Sequence, residues 1–507
     1  MPAIRPDAHP APSPASPPVQ ATGLARGSIS VRQIVFQSVA FMGPGATIVS
    51  SLPLAMAFAG GAAVTACLIA LAVLLLVASS VAQLAKHLPS AGSFATFASN
   101  GLHPTVGFVV GWLYALLTNL VAPLLTLIWA SLLSSATGAP DLWWLWALGL
   151  IVVIGAINLR GVHESSLVNL IFGLTEIVLF AGLSIWIVIA AGSTNTLAVF
   201  GTEFANVPGY TGIAGIIAGA TYCILAFSGF EAAAPLAEET ENPKKSIPRA
   251  VMLSLLGIGV LEIFAVYAAT VAWGPDDAAG FASITGSIGE GWQVIADRVL
   301  PIGALLVLIA VAVSCFANAN AGVNSATRTL FALGRVKILP GALAQVDSRR
   351  SPRTAVVAQI VVTLIFTFGL GFAFGPGTAF GIIGTAITLA FVLIYMTVHL
   401  SCLGYFLRKR RSELNVWLHV VIPVVGFILL IPALLVALGA KVVDFISPIE
   451  APLSYGAFAV WAWILIGVAY LVVTRLRTPA KIGLMSSVME DVDDSDVAPP
   501  TRPTETR

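Results

Sequence analysis

The sequence predicts an all-α integral membrane protein with about twelve transmembrane helices. The chain of 507 residues is 58% hydrophobic and 10% charged, with a mean hydropathy of +0.94, which is too apolar for a soluble fold. Apolar runs of roughly 20 residues recur along it, each long enough to cross a bilayer as a helix. The net charge of +1 favours neither nucleic acid nor an acidic macromolecule as a partner. The predicted partner of the surface is therefore the lipid bilayer.

The spans follow one another closely and also define the predicted orientation. In chain order they are 33–60, 62–86, 104–134, 142–158, 166–191, 211–235, 250–273, 299–333, 354–374, 377–406, 416–438 and 454–475. An even number of spans places both termini on one side of the membrane. Of the 25 Lys and Arg residues, all but Arg298 and Lys441 then fall on that side. Because basic residues are retained in cytoplasmic segments, we expect a multi-pass protein of the cytoplasmic (plasma) membrane with both termini inside.

The two ends of the chain are predicted to be disordered cytoplasmic segments. Residues 1–30 are rich in Pro, Ala and Ser and have no central apolar run of the kind a signal peptide needs. Residues 478–507 contain the acidic run MEDVDDSDVAPP, which cannot bury enough apolar surface to fold.

Two of the spans are interrupted near their middle. The first contains Gly43-Pro44-Gly45, and the sixth, five spans later, contains Ser228-Gly229 within AFSGFEAA. Exposed backbone in hydrocarbon costs several kcal/mol per group, so a break persists only where it lines a cavity or is buried in protein. Freed N–H groups suit a carboxylate, and freed carbonyl groups suit an ammonium or a metal cation. Breaks at corresponding places in two halves therefore predict a transporter site; the alternative is that the glycines permit close packing or a kink.

The stretch FSGFEAAAPLAEETENPKKSIPRAV, residues 227–251, resembles the amino acid-polyamine-organocation (APC) superfamily of permeases. Weaker similarities lie in LPSAGSF (88–94), NLRGVHESS (158–166) and ATRTLFALGRVKILP (326–340). The resemblance implies a leucine-transporter-type fold made of two inverted five-helix repeats, at 31–191 and 211–406, with two additional helices at 416–475. It also implies secondary transport of amino acids or related amines by alternating access.

The predicted substrate-binding residues surround the two breaks or, by resemblance, face them. They are Met42, Gly43, Pro44, Gly45, Ala46, Asn119, Phe227, Ser228, Gly229, Phe230 and Asn318. Phe227 is the preferred gate. Pro44 has no N–H, so Gly45, Ala46 and, further along, Thr47 are left as the donors for a substrate carboxylate. The small apolar residues at both breaks favour a substrate with a neutral or modestly polar side chain, and the alternative is a cationic amine that pairs with Glu176 or Glu231. We rank an amino acid above a polyamine.

Glu176 and Glu231 are predicted to couple transport to protons or another cation. An unpaired carboxylate within a span is costly, so it is neutral, paired or functional. Glu231 directly follows the second break, where the helix dipole favours its ionised form. Many permeases of the superfamily carry a Lys near the position of Glu176, and the reversed charge here leaves a protonatable group or a cation ligand. For both residues a hydrogen-bonded tether between helices is the alternative, and Glu262 is a weaker case of the same kind.

Proton-coupled uptake is thus the leading hypothesis, with an exchanger as the first alternative and a non-transporting amino acid sensor as the second. An enzyme is not expected, because the chain lacks a His-Glu-x-x-His motif and a phosphate-binding loop beside a soluble domain. The four cysteines are scattered through apolar runs and indicate neither a disulfide framework nor a metal site. No cofactor is expected, and the sequence leaves the oligomeric state open.

Overall fold

The computed structural model describes residues 27–283, 290–347, 351–438 and 451–477, with the side chains of 162–164, 282–283 and 477 excepted. Nearly all of this part is helical, which confirms the predicted all-α class. The acidic tail at 478–507 and residues 1–26 of the predicted arm lie outside the described ranges.

Seventeen α-helices are described. They are α1 (Val31–Met42), α2 (Pro44–Ala59), α3 (Ala63–His87), α4 (Phe94–Gly101), α5 (Pro104–Ala136), α6 (Trp143–Arg160), α7 (Val162–Ala191), α8 (Ile213–Phe227), α9 (Pro243–Trp273), α10 (Ala278–Ser283), α11 (Glu290–Val299), α12 (Gly303–Arg335), α13 (Arg353–Phe374), α14 (Pro376–Arg408), α15 (Ile422–Leu429), α16 (Ile431–Ala437) and α17 (Tyr455–Arg477). A hairpin of β1 (Asn206–Val207) and β2 (Tyr210–Thr211) precedes α8, and a 3₁₀ segment, Phe230–Glu239, follows it.

Within the described ranges, 11 helical runs are long and apolar enough to cross a membrane. The first run, Val31–His87, has 57 residues, and at 1.5 Å per residue this is well over twice what one crossing of about 20 residues needs. It is divided at Gly43 and Gly60, both of which have positive φ, and it contains the first two predicted spans. The remaining ten runs correspond to the other ten predicted spans, so the structure accounts for all twelve.

Short elements between the spans were not predicted. The helices α4, α10 and α11 and the hairpin β1–β2 have 10 residues or fewer each. Elements of this size carry too little periodic pattern to stand out beside long apolar runs. They close the ends of the bundle: α4 packs against α5 and α14, and α11 packs against α12.

The helices that carry the breaks occupy the middle of the bundle. Helix α1 contacts α7, α9 and α12, and α2 contacts α8 and α12. The outer helices α6, α7 and α17 instead present apolar side chains outward, among them Val152, Val178 and Leu465, which are 60%, 61% and 68% exposed. An apolar surface of this kind suits lipid. The division into two five-helix repeats stays a prediction.

The last four residues of the predicted arm, 27–30, lie within the described part of the chain and contact the bundle. Ile29 is fully buried and forms a parallel bridge with Thr240. Ser30 caps α1 in a reciprocal capping box with Gln33. Reciprocal side-chain caps of this kind satisfy the free N–H groups at a helix start. The composition of the arm alone does not reveal such a cap.

Candidate functional site

The first break lies at Gly43, between α1 and α2. Gly43 has φ +58, a left-handed conformation that favours glycine, and Pro44 starts α2 where its missing N–H does no harm. A Cβ at position 43 would lie 2.3 Å from the Asn318 side-chain nitrogen. The predicted interruption is therefore confirmed, and glycine is needed there both for the backbone angle and for the close approach of α12.

The backbone donors that follow this break have partners within the protein. The N–H of Gly45 donates to Glu176 Oε2 at 3.2 Å, and the N–H of Ala46 donates to Ser314 Oγ at 2.9 Å. Ser314 also hydrogen-bonds the Glu176 carboxylate. Two of the N–H groups that the sequence assigned to a substrate carboxylate thus contact α7 and α12 side chains instead.

The second break separates α8 from the 3₁₀ segment Phe230–Glu239. Gly229 has φ +115, and a Cβ there would lie 2.8 Å from the Phe41 ring and 3.0 Å from the Phe41 carbonyl oxygen. The two breaks therefore touch, although they lie in the first and the sixth predicted span. Glu231 lies in the first turn after the break, as predicted, but that turn is 3₁₀ and not α-helical.

A pocket of about 60 Å³ lies where the two breaks meet. Of the predicted binding residues, Met42, Ala46, Ser228 and Asn318 line it. The side-chain Oδ1 of Asn318 is buried and has no hydrogen-bond partner among the described residues. A buried polar atom left unpaired is costly, so this oxygen marks a place where a ligand donor would be stabilised.

The other predicted binding residues frame the pocket or lie beside it. Gly43, Pro44, Gly45 and Gly229 form the backbone of the breaks. Phe227 and Phe230 are fully buried, and Phe230 stacks on Tyr395 at 5.7 Å between ring centroids.

Asn119 faces a different neighbour. Its Nδ2 donates to the Ala115 carbonyl, and its backbone carbonyl accepts from the Gln359 side chain of α13. Whether Asn119 touches substrate stays a prediction.

Several pocket residues were missed by sequence reasoning. Ser50 and Ser51 line the pocket from α2, beyond Thr47, which the sequence already named as a backbone donor and which also lines it. The spacing of the two serines after the break could have shown them. Phe380 and Phe391 line it from α14. Nothing in the local sequence of α14 marks these two rings, because they reach the pocket only through packing of distant helices.

Three buried carboxylates surround the breaks. Glu176, Glu231 and Glu262 are fully buried, and each has one oxygen without a partner among the described residues. Glu262 accepts a hydrogen bond from Thr47. Glu231 Oε2 accepts from the Gly229 N–H at 3.2 Å and from the Tyr395 hydroxyl at 3.0 Å. None of these three carboxylates takes part in an ion pair within the described ranges.

The pocket continues into a larger cavity on one side. This vestibule has a volume of about 530 Å³ and shares Ser50, Ser51 and Phe380 with the pocket. It reaches Leu54 and Leu453, which are 45% and 40% exposed, so it leads to the surface at that end of the bundle.

The opposite end is closed by ion pairs. Arg328 of α12 holds Glu239 with two hydrogen bonds, of 2.9 and 3.2 Å, and both side chains are at most 3% exposed. Arg335 pairs with Glu238 at 2.8 Å in a more accessible position. Ile29 exchanges backbone hydrogen bonds with the Glu239 carbonyl and the Glu241 N–H. The 3₁₀ segment is thereby fastened to α12 and to the start of the described chain.

A bundle of membrane-spanning helices with two broken helices meeting at a pocket, open toward one end and closed at the other, defines a multi-pass membrane transporter. Comparison with known proteins gives the family. The chain matches the amino acid permease family over residues 33–482 and belongs to it. The APC resemblance is thereby confirmed.

Relatives share about a quarter of their aligned residues with the chain. The low-affinity putrescine importer PlaP of Escherichia coli is 28% identical over 395 residues, which cover 76% of this chain and 83% of that protein. A probable GABA permease of Pseudomonas aeruginosa is 24% identical over 72% of this chain and 77% of its own length. The lysine-specific permease LysP of Escherichia coli is 26% identical over 63% and 66%, respectively.

Proposed function

We propose that the protein is a secondary active transporter that imports amino acids or related amines across the cell membrane by alternating access. The observation that carries the proposal is the pocket at the contact between the two breaks, reached from a vestibule at one end and shut off by buried ion pairs at the other. Alternating access requires this asymmetry, because the site must never open to both sides at once. The names of the relatives, a putrescine importer, a probable GABA permease and a lysine-specific permease, support the same range of cargo.

In the proposed orientation, with the N-terminus in the cytoplasm, the vestibule is extracellular. The structure then corresponds to the state that receives cargo from outside. Opening the other end requires separation of the 3₁₀ segment from α12, and hence rupture of the Arg328–Glu239 pair.

We propose further that uptake is coupled to protons, with Glu176 and Glu231 as the coupling groups. A buried carboxylate is expensive to ionise unless it is paired. Neither side chain has a basic partner among the described ion pairs. Both accept a hydrogen bond from an N–H at a break, so a change in their protonation alters the backbone that forms the pocket.

The proposal is tested with purified protein in proteoliposomes. A panel of labelled amino acids and amines is offered with and without an inward proton gradient. Accumulation that depends on the gradient is expected. Exchange without net accumulation would point to an exchanger. The absence of both accumulation and exchange would eliminate transport and leave the sensor hypothesis.

Glu231→Gln is expected to abolish the dependence of uptake on external pH while exchange of cargo persists. The amide keeps an oxygen that accepts from Gly229 and Tyr395 but cannot release a proton. The measurement is uptake and exchange between pH 5.5 and 8, with the exposed Glu203→Gln as the matched control. A Glu231→Gln variant whose uptake still follows pH as the parent does would exclude a proton role for this residue.

A further inference from the structure

The cargo can be narrowed from the hydrogen bonds of the first break, an inference that rests on the proposed transport function. Each backbone N–H between Gly43 and Thr47 already donates to an acceptor within the protein, and Pro44 has no N–H to donate. Gly43 and Thr47 donate to the carbonyl groups of Val39 and Gly43. Gly45 and Ala46 donate to Glu176 and Ser314. No donor of this stretch is left for a carboxylate of the cargo.

Glu176 occupies the place that such a carboxylate would take. Its Oε2 accepts from the first free N–H of α2, where the helix dipole stabilises an anion. A cargo carboxylate would have to displace this side chain to reach the Gly45 N–H. The protein thus places its own carboxyl group at the anion-binding end of the break.

The second break repeats this arrangement. The N–H of Gly229 donates to Glu231 Oε2, and the N–H of Ala233 donates to the Ser38 hydroxyl. Here too a carboxylate of the protein accepts the donor that the break releases. Because a glutamate accepts a released N–H at both breaks, a shared function explains the two contacts better than coincidence does.

The pocket and the vestibule also lack a positive group for an anion. Among the described residues that line either cavity, none is Lys, Arg or His. The lining instead offers acceptors and aromatic faces. Asn318 Oδ1 is unpartnered, its residue is 5% exposed, and Phe41, Phe380 and Phe391 surround the same space. Carbonyl oxygens and the faces of aromatic rings both stabilise an ammonium.

The buried carboxyl groups beside the breaks offer acceptor oxygens and, when ionised, no donor to an anion. Glu176, Glu231 and Glu262 each have an unpartnered oxygen close to a break. The ion pairs of the described part that involve Arg328 and Arg335 are formed with other glutamates, Glu239 and Glu238. The apolar walls that continue into the vestibule, among them Leu225 and Phe380, suit an alkyl chain.

We propose that the cargo is a primary alkylamine without a carboxylate, a mono- or diamine whose ammonium binds at Asn318 and the phenylalanine rings. This reverses the order in which the sequence ranked amino acid and polyamine. The difference arises because the sequence left the N–H groups of Gly45 and Ala46 free for cargo, whereas the folded chain uses them for Glu176 and Ser314.

The test compares amino acids with the amines that differ from them only by loss of the carboxylate. Lysine is paired with cadaverine, and ornithine with putrescine. Each is measured as a competitor of labelled amine uptake in proteoliposomes and as a ligand in thermal-shift titrations of the purified protein. We expect half-saturation at concentrations at least about tenfold lower for the amine of each pair, because it brings no unpaired anion into the site. Equal or tighter binding of the amino acids would overturn the inference but not the transport function. Transport itself fails if no compound is accumulated or exchanged.

A double variant, Pro44→Ser with Glu176→Ala, tests the stated cause. It adds one N–H and frees another, so the affinity ratio of lysine to cadaverine is expected to shift toward lysine by at least about tenfold. Glu203→Ala, at an exposed position, is the control and should leave the ratio unchanged. An unshifted ratio in a folded double variant would overturn the role given to Glu176. If the double variant does not fold, the comparison of paired compounds on the parent protein still decides the cargo class.

Discussion

Replacing Gly229 by alanine is expected to reduce uptake at least about tenfold without abolishing insertion into the membrane. The new Cβ would lie 2.8 Å from the Phe41 ring and 3.0 Å from the Phe41 carbonyl oxygen, so the two breaks would be forced apart. A non-glycine residue at this backbone angle also costs about 1–3 kcal/mol, and overpacking of a tight contact costs a similar amount. Because each 1.4 kcal/mol corresponds to about tenfold in an equilibrium, the pocket should lose most of its cargo affinity.

The variant Gly274→Ala tests whether the loss of uptake in Gly229→Ala comes from the contact with Phe41 or from backbone strain. Gly274 also has a positive φ, +118 with ψ 120 against +115 with ψ -10 at Gly229, but a Cβ there has no atom within 4 Å. Both variants carry a penalty for a positive φ, and only Gly229→Ala presses on the other break. The measurement is the KM and maximal rate of uptake per folded protein. Similar losses in the two variants would show that the meeting of the breaks does not matter for cargo.

Replacing Arg328 by methionine is expected to lower stability by about 3–5 kcal/mol, seen as a clear fall in the thermal midpoint, because it leaves Glu239 buried and unpaired. The double variant Arg328→Met with Glu239→Leu should recover much of this loss, since no isolated charge remains. Arg335→Met is the matched control. Its ion pair with Glu238 is 33% and 23% exposed at the two side chains, so its loss should cost about 1 kcal/mol or less.

The same variants report on gating. Because the Arg328–Glu239 pair fastens the 3₁₀ segment to α12, the double variant should open that end more often. Increased labelling of an introduced cysteine near Ser38 by a water-soluble reagent from the N-terminal side would show this. A double variant less stable than Arg328→Met alone, or labelling as low as in the parent protein, would contradict the closing role of the pair.

The spans were predictable because hydrocarbon imposes length and composition on each of them. Even the interruption at Gly43 could be located, since Gly-Pro-Gly has few roles in a helix. The form of the second break was harder to predict. The 3₁₀ geometry of Phe230–Glu239 depends on contacts with α1 and α9, and a local sequence does not contain them.

The position of the candidate site could be predicted from the sequence, but the contacts within it could not. Met42, Ala46, Ser228 and Asn318 lie at the pocket because they flank the breaks or face them. The hydrogen bond from the Gly45 N–H to Glu176 joins residues 131 positions apart. No pattern within α7 distinguishes such a cap from a carboxylate that pairs elsewhere. The roles of these residues in cargo binding and coupling remain predictions.

A structure of the protein with cadaverine, determined by cryo-electron microscopy, tests the central claim most directly. We predict ligand density between the two breaks, with the ammonium at Asn318 and the chain directed past Phe380 into the vestibule, while Glu176 remains on the Gly45 N–H. Ligand density confined to the vestibule or to another part of the protein, with the pocket between the breaks unoccupied, would contradict the account.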